Sequence, residues 1–378
     1  MTNTIAKSRE HLAFAVEEST KGTLAYPTLA AELLVLTAQV DLKQPGSFSD
    51  SKEIADTLDT LDRFRDQTGA GTFSLNFYNR PVSKGVAPMG DILFESLQGG
   101  KAVVGTTSVT YAQSKIKKSF SIWFKRGHTC YFGSGACAET LKLALTNKGA
   151  VECDFGGGFM VKGWAGTSVT TAATSEAATV NVDNGKLFTV GALIQLAADT
   201  KTNAGYRILS IDDNELTLTE SVSVATAAVV KGFIPAALVA VGSPVESLNN
   251  AIKFDGSPKI LKSLTIDINS PVEWQNEEIT TSGYVEAYVE SKRSVKVSCD
   301  SLFREQDLEF FYNSLNNTKT AVIATIGKTA GSICTVNMPY TEFEEPSESA
   351  GENTVSLSLS GVCLGAIAGE NSATIVFT

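Results

Sequence analysis

Residues 88 to 104, Pro-Met-Gly-Asp-Ile-Leu-Phe-Glu-Ser-Leu-Gln-Gly-Gly-Lys-Ala-Val-Val, constrain the rest of the chain more than any other stretch. Ile92, Leu93 and Leu97 recur at helical spacing, Pro88 precedes the start, and Gly99 and Gly100 stop it, which predicts one short amphipathic helix. On either side, Gly71–Arg80 and Lys118–Arg126 alternate apolar and polar side chains as half-buried strands do. The unit is a β-sheet with one helix laid on it.

That unit occurs twice. Ser96-Leu97 followed by Lys101-Ala-Val-Val104 is echoed by Ser314-Leu315 followed by Lys319-Thr-Ala-Val322, and the preceding stretch, Asp307–Leu315, offers Leu308, Phe311, Tyr312 and Leu315 as one helical face. Upstream, Asp41-Leu42 leads to Glu53-Ile54 much as Asp267-Ile268 leads to Glu278-Ile279. Ordered matches at similar spacing predict an internal duplication, with Leu97 and Leu315 both expected in the core.

A chain of 378 residues is long enough for two or three domains. With 31 Lys and Arg against 41 Asp and Glu, its net charge of −10 argues against a phosphate-binding surface as its main business. Cys130, Cys137, Cys153, Cys299, Cys334 and Cys363 lack the close pairs of a zinc site and read as free thiols packed as small apolar residues in a reducing cytoplasm. The first residues are charged where a signal peptide carries its apolar core, and no run reaches the roughly 18 apolar residues of a membrane helix, so no membrane insertion is expected.

The organisation reads as an N-terminal arm over 1–30, module one over 31–162, a small all-β insert over 163–235 and module two over 236–378. The arm holds little core pattern and is expected to become ordered by lying on something else. Within module one, Ile54, Leu58, Leu61 and Phe64 are spaced for a helix, yet the corresponding Glu278–Val289 reads as strand, so either conformation fits residues 49–66. Thr140–Thr146 turns through Asn147-Lys148-Gly149 into a hairpin, followed by Gly156-Gly157-Gly158, where backbone must pass close to something. The insert is expected to have little core of its own, to perch outside its host and to be dispensable for assembly. In module two, Tyr340–Glu348 carries a dense run of acids, read as a solvated turn.

No catalytic constellation emerges. Only His11 and His128 are present, so a histidine metal site is not expected. The one candidate dyad, His128 with Cys130, is an ordinary consequence of strand alternation. Catalytic, cofactor-binding and metal residues are all assigned as none, and the chain is not expected to be an enzyme.

Taken together, Lys118–Ala136, the hairpin ending Asp154-Phe-Gly-Gly-Gly-Phe-Met160 and the closing Asn337-Met-Pro-Tyr-Thr-Glu-Phe343 with its two following strands resemble the major tail tube proteins of long-tailed, siphovirus-type bacteriophages over residues 31–162 and 236–378. The resemblance implies a mainly β fold of two tandem β-sandwich modules, each with a flanking short helix, plus the inserted all-β domain. It implies a structural virion protein, assembled in the bacterial host cytoplasm, whose stacked rings form a tail tube. By that resemblance the tube holds a tape-measure protein, meets tail terminator and distal tail proteins, and passes DNA non-specifically during genome ejection. Two modules per chain favour three chains in a pseudo-sixfold ring, with six chains as the alternative. A different class stays open: a carbohydrate-binding or adhesive surface protein using Trp123, Trp164 and Trp274 as stacking platforms.

Overall fold

The structure, a computed structural model, describes residues 11–28, 32–53, 62–197, 205–235, 241–248, 250–280, 282–365 and 372–378. It is mainly β. A first unit contains β1 (His11–Glu17), β2 (Leu33–Leu34), β3 (Asp41–Lys43), β4 (Phe48–Asp50), β5 (Arg63–Arg65), β6 (Gly71–Tyr78), α1 (Asp91–Gln98), β7 (Gly99–Val104), β8 (Ser108–Gln113), β9 (Phe120–Arg126), β10 (Thr129–Thr146), β11 (Glu152–Phe159) and β12 (Val161–Ala165). Next come β13 (Thr167–Val169), β14 (Thr174–Asn181), β15 (Leu193–Leu196), β16 (Tyr206–Asp212), β17 (Glu215–Val224) and β18 (Val229–Gly232). A second unit follows: β19 (Ala251–Phe254), β20 (Ser257–Pro258), β21 (Ser263–Asn269), β22 (Val272–Trp274), β23 (Tyr288–Glu290), β24 (Ser294–Leu302), α2 (Glu309–Leu315), β25 (Lys319–Ile326), β26 (Cys334–Phe343), β27 (Ser347–Ala350), β28 (Val355–Cys363) and β29 (Thr374–Phe377).

The two units share one topology. The antiparallel pairings β1–β2, β1–β9, β9–β10, β10–β11, β10–β12, β6–β11, β3–β6 and β4–β5 recur as β19–β20, β19–β25, β25–β26, β26–β28, β26–β29, β24–β28, β21–β24 and β22–β23. Registers agree as well: Leu42 lies opposite Phe73, which faces Gly157, and Ile268 lies opposite Val295, which faces Cys363. The long strand slips between Ala138 and Thr140 in β10, and by one residue between Phe343 and Ser347 against β28. Consequently β26 and β27 together are the counterpart of β10, interrupted where Glu344-Glu345-Pro346 intervenes. The duplication expected from short sequence matches is thus present as a repeated order of strands.

Strands β3, β6, β11, β10, β21, β24 and β28, with β27 at the end, lie side by side in one sheet. Alternation explains its one-sided burial: Phe73, Leu75 and Phe77, or Leu264, Ile266 and Ile268, point into the main core while their neighbours face solvent. The first half of β10 leaves this sheet to join a second one, β2-β1-β9-β10-β12. Helix α1 closes the core with Ile92, Leu93, Phe94 and Leu97. Gly99, at φ 86°, ends it by donating its N–H to Glu95 O.

Several expectations need correction. Residues 11–17 are not a loose arm: β1 pairs along its whole length with β9 inside its own chain. Ala13 and Ala15 face the main core, while Phe14 and Val16 face a second one, so the strand is apolar on both sides and lacks the alternation of a half-buried strand. That second core also overturns the picture of a nearly coreless insert. Strands β13 to β18 form a six-stranded sheet, and Ile194, Ile208, Leu216 and Val230 pack in one cluster with Phe14, Trp123 and Phe132 of the first unit.

Deleting 163–235 would therefore remove the last three residues of β12 and uncover Phe14, Trp123 and Phe132, at about 2 kcal/mol for each large side chain returned to water. The expected outcome is a chain that aggregates or binds apolar dyes, contrary to the dispensability expected from sequence. A soluble deletion variant with an unchanged melting temperature would refute the shared core.

Helix α2 is rotated from its predicted orientation. Phe310 is buried against Phe254 and Phe343, and Phe311 of the predicted face is half-buried against Phe303, whereas Leu308, Tyr312 and Leu315 are 55%, 67% and 81% exposed. Leu308 belongs to a preceding 3-10 turn, Glu305–Leu308, and the helix proper is only seven residues long. Of the ambiguous stretch 49–66, Ile54, Leu58 and Leu61 lie outside the described residues, while the flanks are extended, β4 pairing with β5 and Phe64 exposed. Among the described residues of the stretch read as strand over 278–289, strand begins at Tyr288, apart from a bridge between Tyr284 and Thr68.

Candidate functional site

The residues weighed for chemistry are placed apart. His128 is exposed in the turn between β9 and β10, while Cys130 is buried, its thiol pushed up to about 12 by burial. All six cysteines are free and buried. Trp123 is fully buried and Trp274 packs on Tyr288, leaving Trp164 the most open of the three indoles at 40% exposure. Among the described residues, no group of three His, Cys, Asp or Glu could hold a metal ion, and no helix is long and apolar enough to cross a membrane.

What the fold does build is a seam between its two units. Strand β10 from Thr140 to Thr146 pairs antiparallel with β21 from Asn269 to Ser263, fusing the two sheets. Lys117, buried beside the seam, donates from Nζ to Ala138 O at 3.0 Å and to Ser270 O, tying the first unit to the second. Burial is the main cause that lowers its pKa. Arg293 donates to Ser270 Oγ at 3.0 Å and to Ser114 O across the same boundary. Nearby β8 pairs with β29, a second strand contact between units.

The hairpin β22–β23 clamps the seam from the second unit. Trp274 lies flat on Gly158, where a Cβ would come within 2.6 Å of the indole, and donates from Nε1 to Glu139 at 3.1 Å. Burial raises the pKa of that carboxyl. Lys21 sits 3.1 Å above the Tyr288 ring, and Thr68 bridges Tyr284. Gly157 is equally confined, its Cβ position 2.0 Å from Cys137 O. The glycine triplet is therefore a place of close backbone approach, as its sequence implied.

Two strand edges that correspond to this seam have no neighbouring strand among the described residues, although the Lys162 side chain donates to Leu42 O of β3 at 2.7 Å. Strand β3, the counterpart of β21, pairs only with β6. Strand β27, the counterpart of the second half of β10, pairs only with β28, and all four of its residues are exposed. They bound the long sheet at its two ends. Its solvent face carries small polar groups such as Ser74, Asn76, Thr265, Ser298 and Ser358. Its charges are Asp41, Glu152, Asp154, Asp267 and Asp300 against Lys43, Lys142 and Lys296. Hydrogen bonds from Ser358 and Ser263 hold the Asp300 carboxyl below the usual range.

Which strand edges stay open was not read from the sequence. The signal available was the pair Asp41-Leu42 and Asp267-Ile268, which marks β3 and β21 as equivalents.

No protein-family profile and no curated protein matches the chain. Among solved structures, a chain from the virion of a native gene transfer agent particle is similar at a TM-score of 0.27 and 16% identity, over 34% of this chain and 95% of that one. A similarity that loose decides neither fold nor function.

Proposed function

We propose that this chain is a structural virion protein that joins head to tail into rings, and that stacked rings form the tube of a phage tail. The observation that carries the reading is the repeated seam. Inside the chain, β10 takes β21 as its neighbour; the counterparts of those strands, β27 and β3, lie free at opposite ends of the same sheet. A contact of β27 with the β3 of another copy would repeat the internal seam between chains. Because donor and acceptor differ, such a contact is heterologous and propagates until it closes. Closure would also remove the aggregation hazard of two open edges.

Three chains of two units would give a pseudo-sixfold ring. Each chain contributes eight strand positions to the long sheet, so the ring encloses a barrel of about 24 strands; at roughly 4.8 Å per strand its circumference is about 115 Å before tilt widens it. Such a bore accommodates a DNA duplex. The solvent face of the sheet would form the wall, and its serines, threonines and slight excess of carboxylates offer a phosphate backbone few cations to hold. Phe64, Val289 and Ile279, exposed by 56%, 54% and 103% on the hairpins and their linking loop, supply apolar contacts for stacking one ring on the next. The tape-measure, terminator and distal tail partners belong to the same reading, as does a place in the virion.

Negative-stain microscopy together with sedimentation over a rising concentration series tests this. Rings or tubes, with a smallest closed species at three times the monomer mass, are expected. A monomer at every concentration would overturn the proposal.

A further inference from the structure

We infer that the β4–β5 hairpin of one copy docks on the second unit of the next copy, with Phe48 covering Tyr340 and Leu364. The inference rests on the head-to-tail reading above and names a contact that the strand edges alone do not specify. Its template lies within the chain. Leu42 and Ile268 are equivalent by register, and six residues beyond each stand Phe48 and Trp274. Both occupy the first strand of a hairpin, Phe48 opposite Arg65 and Trp274 opposite Tyr288. Trp274 is seated on the first unit; Phe48 is 55% exposed.

The seat has a counterpart too. Trp274 lies over the pair Cys137 and Gly158, which face each other between β10 and β11. In the second unit that pair corresponds to Tyr340 and Leu364, joined by the Leu364 N–H to Tyr340 O at 2.7 Å. Cys137 is fully buried under the docked hairpin, whereas Tyr340 is 40% exposed. An uncovered aromatic on each side of the repeat is what a missing neighbour leaves behind.

Arg65 stands opposite Phe48, and Arg63, 5.7 Å from the Phe48 ring, is paired with Asp50 at 2.8 Å within the hairpin. The acceptor side carries Glu342, the counterpart of the Glu139 that receives the Trp274 N–H, and then Glu344 and Glu345. Arg65, opposite Phe48 in the hairpin, is the cation this docking brings to the acidic strand end. A second copy of this chain supplies both surfaces.

The test is a cysteine pair, Phe48→Cys with Leu364→Cys, in the full chain. The native thiols are buried and do not compete. Under mild oxidation, chain-to-chain disulfides are expected in the assembled fraction, absent from either single variant, since in the internal template the Trp274 indole comes to 2.6 Å from the Cβ position of Gly158. Phe48→Ser should raise the concentration needed for assembly at least tenfold while leaving the melting curve unchanged. Rings that form without the cross-link, and that Phe48→Ser does not weaken, would overturn the docking and leave ring formation standing. Failure of the wild-type chain to assemble at all would overturn both.

Discussion

Replacing Glu348 by proline is expected to leave a folded monomer and to abolish every larger species. Gly351 donates its N–H to Thr354 O at the turn between β27 and β28, and this phases the ladder. In an antiparallel pair, bonded and non-bonded positions alternate, so Ser349 and Ser347 bond toward β28 while the amides of Glu348 and Ala350 point to the open side. A proline at 348 therefore costs the monomer no ladder bond, and at an exposed edge position its effect on stability should stay near 1 kcal/mol or below. Toward a docking β3 it removes a donor and sets a ring in the path of the approaching strand. The lost hydrogen bond, about 1 kcal/mol, is the smaller part; the steric obstruction at every junction of a ring is the larger. Sedimentation of the variant beside the wild type reads the result. Rings at wild-type concentrations would exclude β27 from the interface, whatever else holds the assembly together.

The physical reason some of this was legible lies in alternation. β6, β21 and β24 each bury one face, so their residues announce both the strand and its orientation. β1 hides because Ala13-Phe14-Ala15-Val16 is apolar without alternation, each face serving a different core. The insert looked coreless because its short strands give few apolar residues each and borrow Phe14, Trp123 and Phe132 from the first unit, which no local window reveals. Equivalence of β10 with β26 plus β27 was obscured by Pro346, which interrupts the second copy where the first runs on for 18 residues. The candidate site itself has no side-chain signature. An open edge is defined by which strand is missing beside it, and that follows only from comparing the two units pair by pair.

Leu97→Asp and Leu315→Asp, equivalent positions in the sequence repeat, should behave oppositely. Leu97 is fully buried in the main core, where its loss costs ~3 kcal/mol in burial and packing, and an aspartate adds a polar group without a partner. The combined penalty, on the order of 5 kcal/mol, is comparable to the whole stability of many domains, so no folded chain is expected. Leu315 is 81% exposed, and the same substitution there should change stability by about 0.5 kcal/mol or less. The asymmetry has a structural cause. After α1 the chain makes the extra hairpin β7–β8, which contacts the helix, and Gly99 is pinned where a Cβ would lie 2.7 Å from Ile116 O. After α2 the chain enters β25 directly, and no hairpin returns over the helix. Urea denaturation of both variants, compared at equal m-value, separates the cases. A Leu315→Asp chain that unfolds as readily as Leu97→Asp would mean that α2 packs by the face its sequence first indicated, and that Phe310 is not its anchor.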